Sequence, residues 1–72
     1  MKVIIHLEEK LEEIGISRRE LSRLTSIRHP TINEMCNNEI EYLPLKNLAK
    51  ICKVLNCQIS DLLSLEENED EN

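Results

Sequence analysis

The first part of the chain carries apolar residues at helical spacing. Four of them stand three, four and three positions apart: Ile4, Leu7, Leu11 and Ile14. This spacing places them on one face of an α-helix, with glutamates on the opposite face. Gly15 follows directly, as is common where a helix ends on a left-handed residue. The pattern predicts a first helix over residues 3–14, although the β-branched residues near its start also fit an extended segment.

Two short helices are predicted next. Ser17 and Glu20 have the spacing of a capping box, in which each side chain bonds the backbone N–H of the other, so a second helix begins at Arg18. Pro30 is favoured in a first helical turn and indicates a third helix that opens near His29. The apolar residues expected on the buried sides of these helices are Leu21, Leu24, Ile27, Ile32, Met35 and Cys36.

The remaining pattern predicts two further helices. Asn37–Asn38 is a turn signal, and Pro44 again suits a first helical turn. Apolar residues then recur at helical spacing at Leu45, Leu48, Ile51, Cys52 and Leu55. One or two more turns follow over residues 59–63. The Leu and Ile positions are expected to form the core of an all-α fold, a compact bundle of five short helices.

Composition supports the helical fold, and the charge is unevenly distributed. With one Tyr and neither Phe nor Trp, the chain is better suited to interlocking helices than to an aromatic-rich β-sandwich. The net charge is −5, but five of the 14 acids lie in residues 66–72. That segment has nothing to bury, so we expect one domain over residues 1–65 and a disordered acidic tail over residues 66–72.

A local cationic patch remains inside the neutral body of the chain. Four arginines fall within eleven residues that contain one acid, Glu20: Arg18, Arg19, Arg23 and Arg28. Such a patch, more than an overall positive charge, is what a phosphate backbone requires.

The sequence argues against a secreted, metal-binding, membrane-spanning or enzymatic protein. The three cysteines are odd in number, and no secretory signal precedes them, so we expect reduced thiols, a cytoplasmic location and no metal. No apolar run is long enough for a membrane span. We find no nucleophile–base pairing, no glycine loop for phosphate and no room for a large cleft, so the sequence predicts neither an enzyme nor a cofactor or small-molecule substrate. His6 is expected to be an ordinary surface histidine.

The second and third helices resemble a known DNA-binding motif. Residues 18–35 are similar to the helix-turn-helix of the Xre family, to which phage repressor and Cro proteins belong, and residues 45–57 with 60–63 resemble the closing helices of that domain. The resemblance covers residues 3–65. It implies a lambda-repressor-like domain that regulates transcription, with its third helix in the major groove of double-stranded DNA and its second helix across the backbone.

The resemblance and the helical pattern together give candidate site residues. With Ile32 and Met35 turned inward, the candidates for base reading are Arg28, His29, Pro30, Thr31, Asn33 and Glu34. Arg28 matches guanine, Asn33 matches adenine and Glu34 matches the cytosine amino group. The candidates for phosphate contact are first Ser17, Arg18, Arg19 and Arg23, because the second helix begins there with free N–H groups and a positive dipole. Further contacts to the DNA backbone are expected from Asn37, Asn38 and Lys46.

Two features depart from the family pattern. Ser26 stands where glycine is common, so it must adopt a positive φ or the turn must differ. Glu34, Glu39 and Glu41 would repel phosphates. An alternative is therefore a helix-turn-helix scaffold used for protein–protein binding with weak or no DNA binding, as an antirepressor or adaptor that engages a basic partner with these acids and the acidic tail. Small monomers make few DNA contacts, so we also expect a homodimer or a protein partner.

Overall fold

The computed structural model describes residues 1–67, which form five helices and one two-stranded antiparallel sheet. The elements in chain order are β1 (Lys2–Ile5), α1 (Leu7–Ile14), α2 (Arg18–Thr25), α3 (His29–Cys36), α4 (Leu45–Leu55), α5 (Ile59–Leu62) and β2 (Leu63–Glu66). The prediction of a five-helix bundle is confirmed, and the sheet is a small addition to it. No helix in this described part of the chain is long and apolar enough to cross a membrane.

The sheet brings the two ends of the described chain together. Lys2 lies opposite Glu66 and Ile5 lies opposite Leu63. The first helix therefore begins at Leu7 and not at residue 3, because the β-branched segment before it pairs with β2 and is extended. Glu66, which we expected in the disordered tail, is the last residue of β2. Glu67 follows it outside any helix or strand, and the remainder of that expected tail, from residue 68 onward, lies outside the described residues.

The helix ends follow the local signals in the sequence. Gly15 closes α1 in the left-handed conformation, at φ 89°. Ser26 closes α2 in the same region, at φ 62°, so the serine accepts the positive φ that glycine adopts more readily. At the start of α2, the backbone N–H of Glu20 donates to the Ser17 hydroxyl at 3.0 Å. The Glu20 carboxylate, however, bonds the guanidinium of Arg23.

The core lies where α1, α2, α3 and α4 meet and is closed by α5. Its buried apolar residues are Leu7, Leu11, Leu21, Ile27, Ile32, Met35, Cys36, Leu48, Ile51, Leu55 and Leu62. The expectation that all the Leu and Ile positions are buried is wrong for five exposed residues: Ile14, Leu24, Leu45, Ile59 and Leu65. Ile14 and Leu24 each lie three residues after the central buried leucine of a short helix, on its flank. Leu45 and Ile59 are the first residues of their helices.

Candidate nucleic-acid interface

Two hydroxyl groups hold the turn between α2 and α3. The buried Thr25 Oγ1 donates to the carbonyl of Leu21 at 2.8 Å and accepts from the N–H of Ile27 at 3.2 Å. The Ser22 hydroxyl donates to the carbonyl of Ile27. The backbone groups of Ile27 are therefore satisfied by side chains of α2, which fixes where α3 begins. Sequence reasoning missed both hydroxyls, although Ser and Thr near a helix end are common sources of such bonds.

The helix α3 has a buried side and an outward edge, as the pattern predicted. Ile32 is fully buried and Met35 is 1% exposed. Arg28 is the extended N-cap residue, and Pro30 lies in the first turn. The six predicted base-reading residues are all accessible: Arg28, His29, Pro30 and Glu34 are exposed, and Thr31 and Asn33 are partly buried. The structure thus places this set on α3 and at its N-cap.

Arg18 does not extend freely into solvent. Its Nε and Nη2 donate to the two carboxylate oxygens of Glu8 on α1, at 3.2 and 2.9 Å. Its Nη1 donates to Asn33 Oδ1 at 3.1 Å, and its Nη2 also donates to Asn37 Oδ1 at 3.2 Å. The hydrogen bonds that Arg18 donates to Glu8 lower the pKa of that carboxyl group. The predicted phosphate ligand Arg18 therefore joins α1, α2 and α3, a role that local spacing does not reveal.

The Asn38 side chain is hydrogen-bonded to the backbone of the sheet. Its Oδ1 accepts from the N–H of Ile5 at 2.7 Å, and its Nδ2 donates to the carbonyl of Ile5 at 3.0 Å. The residue itself has φ 58°, a conformation that asparagine tolerates better than most residues. Both polar atoms of the Asn38 side chain are thus hydrogen-bonded to β1, whereas the sequence predicts that this side chain contacts a phosphate.

The other predicted phosphate ligands are more accessible. Arg19 and Lys46 are exposed, and within residues 1–67 neither forms an ion pair. Arg23 is also exposed and donates through Nε to Glu20 at 3.0 Å, which lowers the pKa of Glu20. An exposed pair of this kind is weak and screened by salt, so Arg23 can exchange its carboxylate for a phosphate.

Three acids, Glu34, Glu39 and Glu41, line one hollow of about 420 Å³ beside α3. Its lining residues are Thr31, Glu34, Glu39, Ile40, Glu41, Tyr42, Pro44 and Asn47. Tyr42 is 83% exposed. The loop before α4 therefore adds an acidic surface and an exposed aromatic ring next to the edge of α3.

His6 is engaged through both ring nitrogens, so the expectation of an ordinary surface histidine is wrong. Ser64 Oγ on β2 lies 2.6 Å from Nε2, and Glu9 Oε1 on α1 lies 3.0 Å from Nδ1. The statement that the chain has no nucleophile–base pairing is also wrong, because these groups connect in the order serine, histidine, carboxylate. The contacts join the first turn of α1 to β2.

The cysteines are thiols in packed surroundings. Burial raises the pKa of Cys36 to about 11, so this thiol stays protonated at neutral pH. Cys52 and Cys57 are partly buried, and none of the three forms a disulfide within the part of the chain that the structure describes. In that same part, no group of three or more His, Cys, Asp or Glu side chains is arranged to hold a metal ion.

Comparison with known proteins agrees with this arrangement. The family described as Cro/C1-type HTH DNA-binding domain matches residues 6–68. The chain is also similar to the uncharacterized HTH-type transcriptional regulator YozG of Bacillus subtilis (strain 168), with 31% identity over 70 residues. That alignment covers 97% of this chain and 83% of YozG.

Proposed function

This chain belongs to the Cro/C1-type helix-turn-helix family and is a DNA-binding transcriptional regulator, and we propose that it recognises operator sequences with α3 in the major groove. The observation that carries the proposal is the outward edge of α3 from Arg28 to Glu34. It is supported from behind by the buried Ile32 and Met35. A helix exposed on this side and fixed on the other fits the width of a major groove.

The proposed base contacts follow from the chemistry of each exposed side chain. Arg28 is matched to the O6 and N7 acceptors of guanine, and Glu34 to the amino group of cytosine. His29 and Thr31 offer hydrogen-bond donors at the start of α3, and Pro30 offers an apolar contact. Arg28 also leads the helix, where its guanidinium can move between base and phosphate.

Phosphate contact is assigned to the accessible cations Arg19, Arg23 and Lys46, with the N–H groups at the start of α2. Four other candidates have intramolecular partners that support the surface: Ser17, Arg18, Asn37 and Asn38. We therefore assign these four to shaping the interface. Repression of transcription, by covering a promoter, is the proposed consequence of binding.

We propose a homodimer on DNA, since one small domain offers few specific contacts and paired half-sites are the usual solution. Sedimentation of the protein with a selected duplex tests this. Two chains per duplex would support the dimer, and a single chain at saturation would contradict it.

The main experiment is selection of bound sites from random duplex DNA, followed by affinity measurements at several salt concentrations. We expect Arg28→Ala to relax the preference at one base position. Arg19→Ala should weaken binding to all sequences and reduce the slope of log affinity against log salt by about 1. If neither selected nor random duplex binds at low salt, DNA recognition by α3 is contradicted.

The acidic hollow supports a second candidate, a protein-binding scaffold. Glu34, Glu39 and Glu41 around the exposed Tyr42 would suit a basic partner segment. A lysine- and arginine-rich peptide should then bind to the wild type, and the double variant Glu39→Gln/Glu41→Gln should bind it much more weakly, while binding to duplex DNA should be weak. Retention of DNA with no peptide binding excludes this candidate.

We propose a structural role for the Ser64–His6–Glu9 contacts and no catalytic activity. Glu9 is 78% exposed, so it orients the imidazole poorly, and Ser64 lies within a paired strand. Incubation with a reactive fluorophosphonate should leave Ser64 unlabelled. Labelling of Ser64 that His6→Ala abolishes would contradict the proposal.

We also propose that the protein acts in the cytoplasm. The three cysteines are free thiols within the described residues, and this supports the proposal because thiols stay reduced in that compartment.

A further inference from the structure

The contact between Arg18 and Asn33 fixes which way the Asn33 amide points. A guanidinium has only donors, so the atom that faces Arg18 Nη1 at 3.1 Å must be the carbonyl oxygen Oδ1. The amide nitrogen Nδ2 therefore points away from Arg18. It lies 3.5 Å from Nδ1 of His29, one helical turn nearer the start of α3.

The orientation of the Asn33 amide also determines the tautomer of His29. If Asn33 Nδ2 donates to His29 Nδ1, that ring nitrogen is the acceptor and a neutral ring carries its proton on Nε2. Both side chains then present N–H groups at this end of α3. A chain of polar contacts thus runs from Arg18 through Asn33 to His29.

Glu8 keeps Arg18 in this position. The carboxylate receives two guanidinium N–H groups, a bidentate geometry that fixes the plane of the guanidinium as well as its place. Asn37, one turn after Asn33, accepts from the same guanidinium at 3.2 Å. Arg18 is thereby held in place by Glu8 of α1 and by two side chains that lie one helical turn apart, on α3 and at its C-cap.

We propose that Arg18 is a positioning residue for base recognition, which turns Asn33 and His29 into hydrogen-bond donors so that they select guanine and not adenine. The proposal rests on the proposed function of α3. An asparagine reads adenine by accepting from N6 with Oδ1 while it donates to N7 with Nδ2. Here Oδ1 is turned inward to Arg18. Guanine offers two acceptors, O6 and N7, to the outward N–H groups.

The first test compares base preferences of the wild type and Arg18→Met, by selection from random duplex and then by affinity for matched sites. Removing the guanidinium frees Oδ1 of Asn33, so the ratio of adenine to guanine affinity at the position facing Asn33 should rise on the order of tenfold. Arg23→Met is the matched control, because it removes an arginine of α2 that contacts Glu20 and not α3. It should weaken both sites alike.

A second variant tests the proposal without loss of the arginine. In Asn33→Asp the side chain has the same shape and keeps an oxygen for Arg18. The donor Nδ2, which faces away from Arg18, is replaced by a second carboxylate oxygen, which is an acceptor. The preference for guanine should therefore be lost in favour of a base with an amino group, cytosine or adenine, on the order of tenfold. Because the Arg18 contact is retained, this variant serves if Arg18→Met fails to fold, which circular dichroism would reveal.

Nuclear magnetic resonance separates this proposal from the function on which it rests. In the free wild-type protein, long-range 1H–15N correlation should show neutral His29 protonated on Nε2, and Asn33→Asp should move the proton to Nδ1 or charge the ring. A wild type that prefers adenine at this position overturns the proposal, as does an unchanged base preference in both variants. If the wild type binds no duplex, the proposed function fails. If the His29 tautomer is also unchanged in Asn33→Asp, the proposed direction of the hydrogen bonds from Arg18 through Asn33 to His29 is overturned as well.

Discussion

At the scale of single residues, the described chain has three non-glycine positions with positive φ: Ser26, Asn38 and Asn56. Each ends a helix or lies just after one. The left-handed conformation costs most residues about 1–2 kcal/mol, and asparagine tolerates it better than serine does. Ser26 is exposed, so its backbone strain is not compensated by burial of the side chain. The turn of the helix-turn-helix therefore holds a serine in a backbone conformation that is unfavourable for this residue type.

Ser26→Gly should stabilise the protein by about 0.5–1 kcal/mol, since relief of the left-handed strain outweighs the added freedom of glycine in the unfolded chain. Urea unfolding should give a higher midpoint with an unchanged slope. Asn56→Gly is the matched control at φ 52°, and it should gain less. A loss of stability in Ser26→Gly would show that the serine side chain contributes more than its backbone costs.

Asn38 offers a second test at this scale, because glycine can keep its positive φ while removing the side chain that bonds Ile5. Asn38→Gly should lower the free energy of unfolding by about 1–2 kcal/mol, from two lost hydrogen bonds. Amide exchange of Ile5 should accelerate more than that of residues in α4. Uniform acceleration across the protein would mean that Asn38 does not specifically hold β1.

At the scale of elements, the helices could be predicted from the sequence because their apolar period and end signals are local. Pro30 and Gly15 mark a start and an end within a few residues of where the structure has them. The pairing of β1 with β2 could not be predicted in this way, since it joins segments about 60 residues apart. The same holds for the site: its outward edge follows from Ile32 and Met35, whereas the contacts of Arg18 cross three helices.

The tie between α1 and α2 predicts a pH dependence. Arg18 holds the pKa of Glu8 below its ordinary value of 4.5, so the folded state binds this proton less readily than the unfolded state does. The stabilisation is therefore present above that ordinary value and is lost as the pH falls through the lowered pKa. Glu8→Gln should be less stable than the wild type at pH 7, and the difference should vanish in acid.

Urea unfolding at a series of pH values measures this difference. Glu20→Gln is the control, because its partner Arg23 is exposed and salt screens that pair, so its effect should be smaller and should fade at high salt. A difference between Glu8→Gln and the wild type that stays constant from neutral to acid pH would rule out the ion pair as its source.

At the scale of the whole molecule, charge is divided between a nearly neutral body and an acidic end. Residues 69–71 are Glu-Asp-Glu, and Glu66 and Glu67 precede them closely. Cations proposed for phosphate contact, such as Arg19 and Lys46, therefore act against a net charge of −5. Repulsion of this kind is long-ranged and screened by salt, so it lowers affinity for every sequence alike.

Replacing Glu69, Asp70 and Glu71 by Gln, Asn and Gln removes three negative charges at constant length. We expect tighter binding to random and selected duplexes by the same factor, because the change is electrostatic and reads no bases. The gain should be largest at low salt. It should shrink as the salt concentration rises to the physiological range, where the Debye length is about 8 Å. A gain confined to the selected duplex would instead mean that these acids act at the α3 edge itself, which fluorescence anisotropy with both duplexes would reveal.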